Sequence, residues 1–344
     1  MDWGFMITEA INKLMSLESL DFNESTEVMT KIMTGKVSEV QLSAFLTSLQ
    51  MKGATSDEIA GMATIMRQKS NQITLDYDLV DTCGTGGDGQ NLFNISTACI
   101  FVAAAMGLKI AKHGNRAASG TCGSADVLEG LGINIELSPE QVASCIESVG
   151  AGFMFAPMFH PAMKYAGPVR RELGIPTIFN ILGPLTNPAK ATHQILGVSN
   201  YDMGQQMAES LQKMGVRKAI VVHCESNDGG VDELTLDGIN HMWNVNNTNI
   251  THSQFTANDI NMNSIPLSEI KGQDKSYNAS IIKDVLEGNS SPHRDTILLN
   301  CGVIAQMCDL VTTLEEGVEL AKKTIDSGEA NSKLTELKEL SLSL

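Results

Sequence analysis

From residue 1 to about 72 the apolar positions recur at helical spacing, and none alternate as in a strand. Val40, Phe45, Leu46 and Leu49 form one stripe, and Met62, Ile65 and Met66 form another. Ser38-x-x-Gln41 and Thr55-x-x-Glu58 stand as capping boxes ahead of these runs. The pattern predicts helices without strands, with the methionines filling a core. From about 75 short apolar runs alternate with longer ones. Strands are expected at 79–83, 108–112, 133–137 and 153–156, with helices at 96–106 and about 124–131. Ser138, Pro139 and Gln141 open a further helix that Gly150 ends. Prolines then crowd residues 157 to 192, and alternation resumes with strand 194–198, helix 202–214 and strand 218–223. The polar stretch 225–275, with Asn244-Val-Asn-Asn-Thr-Asn249, reads as weak strands and loops. Helices are expected at about 276–287, 294–309 and 313–340, the last opened by Thr313-x-x-Glu316. Strand–helix–strand repeats imply a parallel sheet covered by helices on both faces. The expected fold class is therefore α/β: a small all-helical domain plus a larger domain with a mostly parallel central sheet.

Composition narrows the partners. No apolar run reaches the roughly 18 residues of a membrane span, and the first residues lack the basic and long apolar regions of a signal peptide. Seven cysteines, an odd number with no CxxC pair, fit reduced thiols in the cytoplasm rather than a disulfide frame. Cys99 and Cys145 lie in apolar helical runs and read as packing. A net charge of −16 argues against nucleic acid and anionic membranes as partners. Against that background the clusters Lys109, Lys112, Arg116 and Lys164, Arg170, Arg171 point to small anions.

The chemistry concentrates between residues 79 and 126. Gly84, Gly86, Gly87 and Gly89 strip side chains from the turn after the first strand, so backbone N–H groups are free to close around an anion. Asn94, Ser96 and Thr97 sit where the next helix begins, and helix N-termini suit phosphate. The second strand delivers Lys112, His113, Asn115 and Arg116 to the same end of the sheet, beyond the strand carboxyl ends where ligands bind in such folds. Gly84-x-Gly86-x-x-Gly89 formally matches a dinucleotide fingerprint. The acidic residue expected about 20 positions on is missing, and Asp88 sits inside the loop. A Walker loop is excluded, because no Gly-Lys-Ser/Thr follows. Asp232-Glu233, after a strand and a glycine turn, could share a hard cation such as Mg²⁺.

Five motifs in order make a resemblance specific. Gly84-Thr-Gly-Gly-Asp88, Asn94-Ile-Ser-Thr97, Lys112-His-Gly-Asn-Arg116, Phe159-His-Pro-Ala-Met-Lys through Arg170-Arg-Glu-Leu-Gly, and Asn180-Ile-Leu-Gly-Pro-Leu-Thr-Asn-Pro188 resemble the anthranilate phosphoribosyltransferases of tryptophan synthesis. The resemblance runs from about residue 20 to the C-terminus. It implies transfer of a phosphoribosyl group from 5-phosphoribosyl 1-diphosphate to the amine of anthranilate, with Mg²⁺, in a cytoplasmic homodimer. It also implies that the proline-rich stretch crosses to the helical domain and back. The domains would be 1–72 with 165–188 returning to it, and 73–164 with 189–344.

The resemblance also assigns site residues. Backbone around Gly84, Gly87 and Asp88 would hold the diphosphate. Asn94, Ile95, Ser96 and Thr97 would meet phosphate or ribose, and Lys112 would neutralise diphosphate charge. Gly114 and Arg116, in the second loop, would also bind substrate. Asn115 to Gly120, with Ser119 and Ser124, would wrap the 5-phosphate end. His113 and Asn115 would face anthranilate. Arg170, rather than its neighbour Arg171, would pair with the anthranilate carboxylate. Ser96, Asp232 and Glu233 would ligate Mg²⁺. No protein nucleophile or strong base is required, since anthranilate's amine is neutral at pH 7. His160, His193 and His223 read as structural, with His223 placed near the site by its position at a strand end. Leu92 stands where the family usually has Ser or Thr, and Ala117, Ala118, Gly120 and Cys122 interrupt a loop that is usually serine-rich. A nucleoside phosphorylase of the same fold is the nearest rival; Asp232-Glu233 and Asn115-Arg116 count against it. A nucleic-acid-binding relative is disfavoured by the acidity.

Overall fold

The capping boxes set the first helices where the sequence places them. The computed structural model describes residues 6–117 and 120–344. Helices α1 (Ile7–Met15), α2 (Phe22–Met33), α3 (Glu39–Lys52) and α4 (Ser56–Gln68) come first. Ser38 Oγ accepts from the Gln41 N–H and Thr55 Oγ1 from the Glu58 N–H, each at 3.3 Å. The buried stripe of α3 is Leu42, Phe45, Leu46 and Leu49, an i, i+3, i+4, i+7 set. Val40 falls two positions from Leu42, on the opposite face, and is 80% exposed, contrary to its expected place in that stripe.

Eight strands form one sheet: β1 (Leu79–Gly84), β2 (Lys109–Gly114), β3 (Ala151–Phe155), β4 (His193–Gly197), β5 (Lys218–Ser226), β6 (Gly229–Val231), β7 (Ile239–Asn246) and β8 (Ile250–Phe255). Their order is β3-β2-β1-β4-β5-β7-β8, with β6 paired to β5. The first five are parallel, and β6, β7 and β8 run antiparallel. Crossovers build one way from β1 to β3 and the other way from β1 through β4 to β5. The switch point therefore lies between β1 and β4, where such sheets open a crevice. There Gly84 pairs with Gly197.

The remaining helices are α5 (Ile95–Ala105), α6 (Ser124–Gly130), α7 (Pro139–Val149), α8 (Ala156–Phe159), α9 (Gly167–Leu173), α10 (Phe179–Leu182), α11 (Asp202–Lys213), α12 (Lys275–Leu286), α13 (Pro292–Met307), α14 (Leu314–Asp326) and α15 (Glu329–Ser343). One apolar cluster packs α5, α13 and the C-terminal helices on one sheet face. The other joins α1–α4, Val169, Phe179, Leu182 and Leu185 to the opposite face through Leu196, Met207 and Val221. Three chain crossings run side by side between the helical bundle and the sheet. Asn71 N donates to Phe159 O at 2.8 Å and Ile73 N to Pro188 O at 3.3 Å.

Two expected elements differ. Residues 133–137 bury Ile133, Ile135 and Leu137 in alternation but form no strand. Their backbone is instead tied to the last helix, with Asn134 N donating to Ser341 Oγ at 3.0 Å. The helix expected over 313–340 is two, because Gly328 (φ +80°) breaks it between α14 and α15. The Asn-rich run is a hairpin turn, in which Asn246 Oδ1 accepts from Thr248 N and Asn249 N at 3.0 and 2.8 Å.

Candidate active site

At the carboxyl end of β1 and β4 the missing side chains of Gly84 and Gly197 make a slot, and Asp232 fills it. A Cβ on Gly84 would lie 2.4 Å from Asp232 Oδ2, and one on Gly197 would lie 1.6 Å from the Asp232 carbonyl oxygen. The turn that follows takes the left-handed backbone at Gly86, Gly87 and Gly89, with φ of +66°, +79° and +74°. This aims the Gly86 N–H at Asp232 Oδ2, 2.6 Å away. The Asp88 carboxyl lies beside Asp232 as well. Gln90 straps the loop down, donating to Asp228 O at 2.8 Å and accepting from the Lys271 ammonium. Leu92, where the family has a hydroxyl, pairs its backbone with Lys271 and packs against the core.

Helix α5 brings its N-terminus to the same place. Ser96 N donates to Glu233 Oε1 at 3.3 Å. Lys112, almost wholly buried, donates to Thr82 O and to Ser96 Oγ, the latter at 3.2 Å. Asn94 has both amide atoms engaged, donating to Cys122 O at 3.0 Å and accepting from Asn278 at 2.9 Å. Ile95 and Thr97 turn into the core, and the Thr97 hydroxyl has no partner there. What these two offer a ligand is the helix-start backbone.

Burial drives the pKa of Asp232 up to about 7, assisted by the Asp88 charge, and that of Glu233 up to about 8, assisted by Asp232. Lys112 opposes the Glu233 shift. Crowded carboxylates short of positive charge, with the Ser96 hydroxyl among them, are an oxygen donor set suited to a hard divalent cation. Among the described residues no group of three His, Cys, Asp or Glu forms a metal cluster by itself. The fit therefore rests on two carboxylates and a hydroxyl, with substrate oxygens to complete the shell.

The second loop is more dispersed than expected. His113 is buried, its N–H donating to Asp81 Oδ1 at 3.2 Å and its Nε2 lying 3.2 Å from His160 Nε2. His160 is thus structural, as expected, and the part the sequence does not show is that its partner is His113. Gly114 makes room for the Phe153 ring, 2.9 Å from where a Cβ would stand. Asn115 Oδ1 accepts from Arg116 N at 2.8 Å. The Arg116 guanidinium is already paired with Asp126 at 3.0 Å and Glu129 at 2.7 Å, and it stacks over Phe155. Ser124 opens α6 and Gly120 is exposed; Ala118 and Ser119 lie outside the described residues. Lys109 does not join Lys112 and Arg116. It sits at the start of β2, donating to the Ile146 and Glu147 carbonyls at 3.1 and 2.8 Å, and an extended strand rising about 3.3 Å per residue separates the three.

Arg170 on α9 is half-buried, over the Phe179 ring and 3.4 Å from Asn180 Oδ1. Arg171 is exposed. His223 hydrogen-bonds Val198 O at 2.7 Å and supports Gly230, two residues before Asp232.

Residues 76–331 match the a/b domain of a glycosyl transferase family, and residues 8–70 match its helical bundle domain. An anthranilate phosphoribosyltransferase of Chloroflexus aurantiacus is 48% identical over 333 residues, 96% of this chain and 97% of the relative. The crystal structure of the enzyme of that name from Thermus thermophilus superposes with a TM-score of 0.91 at 40% identity, covering 97% of this chain and 99% of that one. The Saccharomyces cerevisiae enzyme in complex with PRPP and Mg superposes with a TM-score of 0.89 at 27% identity, covering 98% of each chain. A complex of the yeast enzyme with 4-fluoroanthranilate is also known. The chain therefore belongs to the anthranilate phosphoribosyltransferases, within the glycosyl transferase family whose two domains it carries.

Proposed function

We infer that the chain transfers the phosphoribosyl group of 5-phosphoribosyl 1-diphosphate to the amine of anthranilate, in L-tryptophan biosynthesis. The observation that carries this reading is the meeting of Asp232, Glu233, Ser96, Lys112 and the glycine-loop N–H groups at the switch point. Ser96, Asp232 and Glu233 would hold Mg²⁺, which would supply positive charge to the diphosphate. The backbone of Gly84, Gly87 and Asp88 and the N-terminus of α5 bind diphosphate oxygens, and Lys112 adds a buried cation. The C1–O bond breaks and its electron pair leaves with diphosphate. The anthranilate nitrogen forms the new bond to C1, then releases its proton to water. Catalysis is positioning and charge stabilisation, with no protein nucleophile.

His113 and Asn115 line the anthranilate side, and Arg170 pairs with its carboxylate. Ser124 and the 115–120 loop take the 5-phosphate. Arg116, held by Asp126 and Glu129, lies in that loop and adds a cation to the substrate side. The helical bundle with the 165–188 return joins the sheet domain at the three crossings, which are where a hinge between them would lie. The family resemblance supports a homodimer through the bundle, which carries the exposed apolar residues Met15, Leu17, Val40 and Met51. Seven free thiols fit the cytoplasm, and among the described residues no helix is long and apolar enough to cross a membrane. The test is loss of anthranilate fluorescence with purified protein, Mg²⁺ and phosphoribosyl diphosphate. Loss that needs all three supports the reading. No loss with folded protein across a Mg²⁺ series overturns it.

A further inference from the structure

Asp81 is a fully buried carboxylate in the middle of β1, and the proposed chemistry does not use it. It points to the same sheet face as Cys83, which packs in the helical-bundle cluster, whereas Val80 faces the opposite cluster. Burial pushes the pKa of a carboxyl in such a place up, Lys112 and its hydrogen bonds hold it down, and its partners come from different parts of the molecule. Its Oδ1 accepts from the backbone N–H of His113 at 3.2 Å, at the exit of β2. Asn187, on the crossing back from the helical segment, hydrogen-bonds it. Gln194 of β4 reaches Oδ2 at 3.5 Å while donating to Pro184 O at 2.6 Å.

Two buried cations share its charge. Lys112 acts from the other face of the sheet, and Arg67 from α4. Arg67 spans the crossing too, donating to Leu185 O at 2.8 Å, and its Nε is buried without a partner. The carboxylate therefore sits where the helical bundle, the return crossing at 184–187 and the end of β2 meet.

We propose that Asp81 is a positioning residue that fixes His113 and the loop after it against the crossing and Arg67. In this way it sets the geometry of the anthranilate side of the cleft. The proposal rests on the functional reading above. The diphosphate and Mg²⁺ groups hang mainly on the Gly84–Gly197 slot and α5; Lys112 alone among them shares charge with this carboxylate, and its bonds to Thr82 O and Ser96 Oγ hold it in place without it.

The test compares wild-type protein with Asp81→Asn, which keeps the shape and an acceptor for the His113 N–H but removes the charge. Displacing a bound reactant by an ångström costs up to about a hundredfold. The expected result is an anthranilate KM raised roughly tenfold or more, with phosphoribosyl diphosphate affinity in the presence of Mg²⁺, read by calorimetry, within about twofold of wild type. Asp81→Asn leaves Arg67 short of an anion and could unfold the chain. The double variant Asp81→Asn/Arg67→Met removes that imbalance and is expected to fold while keeping the raised KM. An anthranilate KM equal to wild type in a folded variant overturns the proposal. So does a loss of both affinities in proportion to loss of folded protein, which is what a merely structural role produces. Failure of the wild-type enzyme to consume anthranilate would count against the functional reading itself.

Discussion

The carboxylate of Asp232 accepts a 2.6 Å hydrogen bond from the backbone N–H of Gly86. That N–H belongs to the loop read as the diphosphate cradle, so Asp232 and a diphosphate oxygen compete for one donor. If Asp232 and Glu233 hold a cation, its charge would relieve that competition by offering the carboxylate another partner. Asp232→Asn keeps the hydrogen bond but removes the charge. The Mg²⁺ concentration for half-maximal rate should then rise by about tenfold, the equivalent of roughly 1.4 kcal/mol. Mg²⁺ titration of initial rates checks this, and superimposable curves for variant and wild type would remove Asp232 from the metal site.

The slot that admits Asp232 makes a separate prediction about glycine. Gly197→Ala would place a Cβ 1.6 Å from the Asp232 carbonyl oxygen, a backbone atom that cannot swing aside. Overpacking of this kind typically costs about 1–3 kcal/mol. The thermal midpoint should fall, and activity should fall further than the midpoint accounts for, because Asp232 moves. Gly183→Ala, with nothing within 4 Å, is the matched control, expected within about 0.5 kcal/mol of wild type. Equal melting and equal activity for the two variants would mean that the slot tolerates a side chain.

How far the sequence reveals this site depends on the range of the interactions. The glycine turn, the start of α5 and the capping boxes are local, so residue type and spacing are enough to read them. Gly86 and Asp232 are 146 positions apart, and only the sheet order brings them together. The resemblance put Asp232 and the glycine loop in one site, and Asp88 stood out as a carboxylate inside that loop, but neither paired the Gly86 N–H with Asp232. Lys109 misled, because neighbours in sequence along a strand stand far apart in space. Arg116 is spoken for by Asp126 and Glu129, carboxylates whose role became visible only once α6 had folded back. Residues 133–137 carry a strand's alternation but follow the C-terminal helix, a tertiary choice that overrides pattern. Asp81 gave no signal, since a lone Asp in an apolar run becomes conspicuous only when its burial is known.

Arg170 and Arg171 separate two readings of adjacent residues. Arg170 is half-buried over Phe179 and Arg171 is exposed. If Arg170 pairs bidentately with the anthranilate carboxylate, Arg170→Ala should raise anthranilate KM by roughly ten- to a hundredfold while phosphoribosyl diphosphate still binds. Arg170→Lys should recover only part of it, because an ammonium cannot form the fork. Arg171→Ala should leave both constants alone. Steady-state kinetics on the three variants decide the matter, and unchanged anthranilate kinetics in Arg170→Ala would refute the assignment.

The buried His113–His160 pair predicts a pH dependence of stability. Their Nε2 atoms are 3.2 Å apart, so one ring donates and the other accepts, and the accepting ring must be neutral. Burial pushes the pKa of His160 down to about 4 and that of His113 to about 3, His160 adding to the latter shift. In the unfolded chain both titrate near about 6.5. Between about 6.5 and 4 the unfolded state therefore binds protons that the native state refuses, and stability rises with pH. Each histidine contributes a slope of up to about 1.4 kcal/mol per pH unit in that window. Stability from the pair is fully present above pH 6.5 and drains away as pH falls toward 4. His160→Gln removes one of the two titrations, so the gap in unfolding free energy between wild type and variant should narrow steadily from pH 7 to 4.5. The carboxylates, including Asp232 and Glu233, titrate in both proteins and drop out of the difference. Urea unfolding at each pH measures it, and a gap that stays constant across the series would show that the pair does not titrate differently on folding.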